Sequence, residues 1–340
     1  MRRADHWRRD CGAERPRGMS VKSVNADVIA EAAMLLRAGE CVAIPTETVY
    51  GLAADATNAD AVSKIFDIKN RPKINPLISH FNNLNEVLKF VDLSDEATTL
   101  AHHFWPGPMT LIVNRRDDCQ FPDVVTAGLK TVAVRVPSHP TAQKIIAAAG
   151  VPLAAPSANL SGEVSPTSAM HVSASLGDRV KLIVADGASK VGLESTVIDM
   201  SGDKAVVLRA GAITKEQISD VLGYDVQYDD GQGVEKPKSP GQLLKHYAPN
   251  ASVRLRAVDV KDGEALLAFG STKFMNVCDV PDNRFLNLSE SGDLEEAASH
   301  LFSYLRKLDT SGVHTIAVMD IPNVGIGVAI NDRLSRAAKR

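Results

Sequence analysis

Short apolar runs alternate with stretches of helical periodicity along most of this chain, and that alternation limits the fold more than any other property. From Ala26 to Ala38 apolar residues recur at helical spacing (Val28, Ile29, Ala32, Leu35, Leu36), and Gly39 follows as a stop. Cys41 to Ile44 then reads as a strand ended by Pro45, and Asn58 is placed to cap a helix running to about Lys69. Further strand candidates are Leu77–Ile78, Met109–Val113, Thr131–Val136, Val151–Ala155, Leu182–Ala185, Thr196–Asp199 and Ala205–Leu208. Strands interleaved with helices predict an α/β domain over residues 20–225. Residues 226–250 lose hydrophobic periodicity and gather Gly, Pro and charge, as a linker does. Beyond them, strand-like VRLRAV, ALLAFG and TIAVMDI and two helical patterns predict a smaller α/β unit over residues 251–340.

Bulk properties fit this division and exclude several classes. A chain of 340 residues exceeds the usual single domain, so two domains are expected. With a net charge of -3 it does not coat nucleic acid by bulk charge, so any tRNA contact is weak and local. The cysteines Cys11, Cys41, Cys119 and Cys278 are scattered, which predicts neither a zinc site nor a disulfide framework and fits a cytoplasmic protein. No stretch approaches the ~20 apolar residues of a membrane span. Residues 1–19 are Arg-rich, lack an apolar h-region and include a second methionine, Met19; the expectation is a disordered extension or a mis-assigned start, not a secretory signal.

Several polar segments follow strand candidates, where open α/β sheets place ligands. In PTETVYGL, Thr46, Glu47 and Thr48 set two hydroxyls and a carboxylate beyond a strand, although a capped polar turn has the same composition. In KNRPKINPL, Pro72 and Pro76 keep the chain extended, which predicts Lys69 and Arg71 on one side, suited to phosphate oxygens; a solvated basic loop is the alternative. TVAVRVP alternates, so Arg135 is presented by a strand. Either an anionic ligand or an internal salt bridge must pair it there. Ser157 and Asn159 lie in a hydroxyl- and amide-rich turn, and Ser195 and Arg209 each flank a strand. WPGP at 105–108 reads as a rigid corner. No hydrolase or metalloprotease motif appears, which leaves chemistry by positioning and charge, as in phosphoryl or nucleotidyl transfer.

Taken together, PTETVYGL, KNRPKINPLISH, WPGPMTLI, TVAVRVP, APSANLSGEVSPT, ESTVID, LRAG and HYAP resemble, in order, the YrdC-like family of threonylcarbamoyl-AMP synthases in its long form. The resemblance spans residues 24–340. It implies an open twisted sheet with a deep cationic cavity, followed by a small Rossmann-like domain. It also implies the formation of threonylcarbamoyl-AMP and pyrophosphate from ATP, L-threonine and bicarbonate, for tRNA modification by a downstream threonylcarbamoyl-transfer machinery. Thr48, His80, Arg135, Ala155 and Ser195 are then expected around threonine, and Arg71, Asn75, Thr131, Ser157, Asn159, Ser165, Arg209 and Tyr247 around ATP. Lys69 and Arg71 would meet transition-state charge. Mg2+ would be carried by ATP and not by side chains. Residues 226–250 would form a lid over the cavity, although the sequence after Gly241 departs from the family's usual Met and Tyr or basic residues, and Ala210 replaces a usual proline. Two rival functions share these cations: a carbamoyl adenylate former of the hydrogenase-maturation type, whose acylphosphatase and paired-cysteine modules are not evident here, and a plain RNA-binding module.

Overall fold

The computed structural model describes residues 20–229, 247–273 and 280–339. Most of the expected lid, including His246, therefore lies outside the described residues, as do residues 1–19.

The first unit is built on one 11-stranded sheet. Its strands are β1 (Ser20–Ser23), β2 (Val42–Ile44), β3 (Gly51–Asp55), β4 (Ile78–His80), β5 (Met109–Asn114), β6 (Thr131–Arg135), β7 (Leu153–Ala154), β8 (Leu182–Ala185), β9 (Thr196–Asp199), β10 (Val206–Arg209) and β11 (Gln227–Tyr228). They lie in the order β1-β8-β2-β3-β7-β4-β6-β5-β9-β10-β11, with parallel and antiparallel neighbours mixed. Side-chain alternation divides the core between the two faces. Val42, Ile44, Leu182 and Val184 pack with Leu36, Ile145 and Ile146 beneath the helices Ala26–Arg37 and Pro140–Ala149. Ala43, Leu52, Val132 and Val134 point the other way, into the larger core with Ile65 and Phe66 of the helix Ala59–Lys69. Asn58 caps that helix as expected, accepting from Asp60 and Ala61.

In the first unit three strands escape a reading of local pattern, as does Phe285–Asn287 in the second. β3, GLAAD, has no β-branched residue, yet it pairs with β2 on one side and β7 on the other and is almost entirely buried. Its partners, not its propensity, make it a strand. β1 is a short segment that gains order by parallel pairing with β8. β11 adds to the opposite edge beside β10.

The second unit is a four-stranded parallel sheet formed by β12 (Ser252–Arg254), β13 (Ala265–Ala268), β14 (Phe285–Asn287) and β15 (Thr315–Val318), in the order β12-β15-β13-β14. Helices Leu294–Asp309 and Gly327–Ala337 cover one face. Their core does not stop at the unit's edge: Val49, Val164 and Leu193 of the first unit pack into it. No helix among the described residues is long and apolar enough to cross a membrane.

Candidate active site

A cavity of about 540 Å³, including its open mouth, lies where β4, β6, β9 and β10 bring their polar ends together. Register explains the convergence. His80 stands opposite Arg135 on neighbouring parallel strands, Ile78 opposite Ala133, and Arg209 opposite Val197, just beyond Ser195. Ile78, Ala133, Val197 and Ile112 form a small apolar cluster on that face. The nearby loop between β2 and β3 is fully buried. Thr46 Oγ1 donates to the Val49 carbonyl at 2.5 Å and shares a 2.9 Å hydrogen bond with Thr48 Oγ1, which fixes both hydroxyls at the cavity wall.

Arg135 has both kinds of partner that its strand position allowed. Nη2 forms an ion pair with Glu47, Nη1 donates to Thr48 Oγ1 at 3.1 Å, and Nε donates to the Gly107 carbonyl at 3.3 Å, while the side chain still lines the cavity. The corner at Trp105–Pro108 thus supports the site through Gly107. Burial alone would raise the Glu47 carboxyl, but the Arg135 charge and hydrogen bond hold it below the usual carboxylate range. Its Oε2 is buried with no hydrogen-bond partner among the described residues. His80, whose Nδ1–H donates to the Ile78 carbonyl at 3.2 Å, is driven down to about 3 by burial and then by Arg135, so it is neutral.

At the other end of the cavity the cations are arranged differently from the extended pair expected. Lys69 is the last residue of its helix, and Asn70 takes a left-handed conformation (φ 50°) as the C-cap, turning the chain back so that Arg71 N–H bonds to the Phe66 carbonyl. The helix stop, not an extended strand, sets their directions. Arg71 lines the cavity and donates through Nη2 to the carbonyls of Asn75 (3.4 Å) and Pro76 (3.1 Å). Lys69 sits behind the wall, where Nζ donates to the Ser157 carbonyl at 2.6 Å and to the Asn159 carbonyl. Neither forms an ion pair among the described residues. Burial, and then the charge of Arg71, lowers the Lys69 ammonium well below its ordinary range; burial also brings Arg71 down to about 10. Arg209 donates to the Ser195 carbonyl at 3.0 Å and to its hydroxyl at 3.1 Å, and that hydroxyl also pairs with Thr110 at 2.7 Å.

Of the residues expected at the site, Thr48, Arg71, His80, Arg135, Ala155, Ser157, Ser195, Arg209 and Tyr247 line the cavity together. Lys69, Asn75, Asn159 and Ser165 are buried outside its lining. Thr131 is half-buried at the far end of β6, about 13 Å along the strand from Arg135 at ~3.3 Å per residue. Glu47, whose carboxylate the PTETVYGL segment sets beyond a strand, is the partner of Arg135, whereas Glu194 and Arg333 lie outside the groups the sequence assigns to either ligand. Glu194 lines the cavity, accepts from Ser165 Oγ at 2.5 Å and from Arg333 Nε at 2.9 Å, and is held low by the charges of Arg333 and Arg209 against the effect of burial. Arg333 comes from the last helix of the second unit. The signal available for it was its position on the apolar stripe of Ala329, Ile330, Leu334 and Ala337, where a lone charge needs a buried partner. Among the described residues no three His, Cys, Asp or Glu side chains gather as a metal site.

Comparison with known proteins places these residues in context. The family model Sua5–YciO–YrdC, described as "Telomere recombination", matches residues 34–211, and the model "Threonylcarbamoyl-AMP synthase, C-terminal domain" matches residues 213–339. A Bacillus subtilis protein named threonylcarbamoyl-AMP synthase is 41% identical over 338 residues, covering 93% of this chain and 94% of that one. A Pyrococcus abyssi protein of the same name is 39% identical over 330 residues, covering 90% and 93%. The crystal structure of P. abyssi Sua5 complexed with L-threonine superposes with a TM-score of 0.86 at 35% identity, covering 94% of this chain and 98% of that one.

Proposed function

This chain belongs to the Sua5–YciO–YrdC family of threonylcarbamoyl-AMP synthases, and from that premise we propose that it forms L-threonylcarbamoyladenylate from ATP, L-threonine and bicarbonate, as a nucleotidyltransferase. The observation that carries the reading is a pair of buried cations, Arg71 lining the cavity and Lys69 behind its wall, whose hydrogen bonds among the described residues go only to backbone carbonyls. Buried polar atoms are nearly always satisfied. Arg71 Nε, Asn75 Oδ1 and Asn159 Oδ1 have no partner among the described residues, which supports a polar ligand or water there.

The two ends of the cavity suit the two substrates. Arg135, with Thr48 and neutral His80 beside it, receives the threonine carboxylate; Glu47 offsets part of its charge, so threonine meets a polar and not a strongly cationic wall. Bicarbonate supplies the carbon that bonds to the threonine nitrogen; from the ammonium form of threonine this gives a carbamate, with one water and one proton released. A carbamate oxygen then attacks the α-phosphorus of ATP, and the bond from that phosphorus to the pyrophosphate oxygen breaks. Arg71 and Arg209 face the charge that develops there, while Lys69 acts from behind by fixing the Ser157–Asn159 carbonyls. The lining carboxylate, Glu194, is already engaged by Arg333 and Ser165, and the other polar groups of the lining are cations, hydroxyls and a neutral histidine, so Mg2+ is read as arriving on the triphosphate. Asn75, Thr131 and Ser165 take the outer parts of the nucleotide in this reading. The product is handed, in the cytoplasm, to the machinery that modifies tRNA.

Pyrophosphate release, followed with MgATP, bicarbonate and each amino acid in turn, tests this. Threonine should stimulate release selectively. Release that is independent of the amino acid, or absent, would reject the reading.

A further inference from the structure

Arg333 lies in the last helix of the second unit, yet it is fully buried (0% exposed) against the first. Its Nε donates to Glu194 at 2.9 Å, Nη2 to the Ala210 carbonyl at 3.0 Å and Nη1 to Asp332 at 2.7 Å. Its guanidinium carbon lies 5.2 Å from the centre of the Tyr247 ring, which also stacks on Phe302 at 5.5 Å. Tyr247 is itself held in a left-handed backbone conformation (φ 62°), which a bulky residue adopts only when its surroundings impose it. Arg333 therefore touches two groups of the cavity wall, Glu194 and Tyr247, and braces the residue next to a third, Arg209.

A buried carboxylate needs a cation. Glu194 precedes Ser195, the residue to which Arg209 donates, and the charges of Glu194 and Arg209 act on one another. Without Arg333, the cation left for Glu194 to recruit would be Arg209. We propose that Arg333 is a positioning residue for the nucleotide site: by saturating Glu194 and bracing Tyr247 from the second unit, it leaves Arg209 directed toward the anionic substrate. The second unit thereby completes the charge arrangement of a site whose other cations belong to the first. This rests on the reading of the cavity as an ATP site.

The test compares wild type, Arg333→Met, Arg333→Lys and the double variant Arg333→Met/Glu194→Gln, with MgATP and threonine titrated separately in the pyrophosphate assay. Arg333→Met should raise KM for MgATP by about tenfold or more, while KM for threonine moves less than about twofold. Removing the carboxylate as well should bring KM for MgATP back to within about threefold of wild type, although the melting temperature stays lowered. A purely structural role predicts the opposite, with both KM values rising together and the double variant no better than the single; either result overturns the proposal. If Arg333→Met does not fold, Arg333→Lys with and without Glu194→Gln makes the same comparison. Should the wild type release no pyrophosphate with threonine, the functional reading fails, and calorimetric affinities of the same variants for MgATP still decide whether Arg333 positions the site.

Discussion

His80 shows how burial turns an ordinary residue into a pH-sensitive part of the fold. Desolvation, with Arg135 adding to it, lowers its pKa to about 3, against about 6.5 for an unfolded histidine. Because the folded pKa is the lower, the unfolded chain binds more protons as pH falls. The stability this group contributes is complete above about pH 6.5 and is lost progressively toward pH 3. Glu47 and Glu194, both held below their usual range, lose theirs in the same direction at lower pH. The melting temperature should therefore decline as pH drops from about 6.5 to 4, and His80→Gln should flatten that slope. A slope unchanged by the substitution would place the acid sensitivity elsewhere. Arg135 shows the complementary case: its ion pair with Glu47 makes the residue structural as well as ligand-facing, so its removal would strand a buried carboxylate.

Between elements, the decisive contact is the turn after β10 against the entry to β9. A Cβ on Gly211 would meet the Thr196 nitrogen at 2.4 Å and the Glu194 carbonyl oxygen at 2.8 Å, all of it backbone that cannot swing aside. Glycine is needed here for close approach, and that approach keeps Ser195 within 3.1 Å of Arg209. Gly211→Ala should displace the Glu194–Thr196 segment and reduce turnover by about tenfold or more while lowering stability by ~1–3 kcal/mol, the usual cost of overpacking. Wild-type kinetics in that variant would show that the segment tolerates a shift. The Lys69–Arg71 pair makes the same point about junctions: one left-handed residue, Asn70, aims two cations that an extended chain would have aimed differently.

At the scale of the whole molecule, the two units share a core and the buried Arg333–Glu194 ion pair, so they should melt as one. Gly192 (φ 76°) lies under the helix Leu294–Asp309, where a Cβ would meet the Ala298 oxygen at 2.5 Å and Ser299 Cα at 2.6 Å. Gly192→Ala should loosen this docking and separate the calorimetric transition into two, with weaker MgATP binding as Arg333 withdraws. A single transition at the wild-type temperature would show that other contacts suffice. Much of this molecule is determined by sequence alone. The α/β class, the helix beginning after Asn58 and the strand that presents Arg135 are local, set by periodicity, capping and alternation over a few neighbouring residues. Motif order likewise brought together nine of the residues that line the cavity, while Lys69, Asn75, Thr131, Asn159 and Ser165 lie outside its lining. Tertiary structure alone decided the rest, because each remaining feature depends on a partner distant in the chain. β3 is a strand because β2 and β7 flank it, Arg135 is paired because Glu47 folds 88 positions away onto it, and Glu194 meets Arg333 across a separation of 139. Desolvation, which fixes the charge state of His80 and weakens that of Lys69, exists only once those distant segments have excluded water.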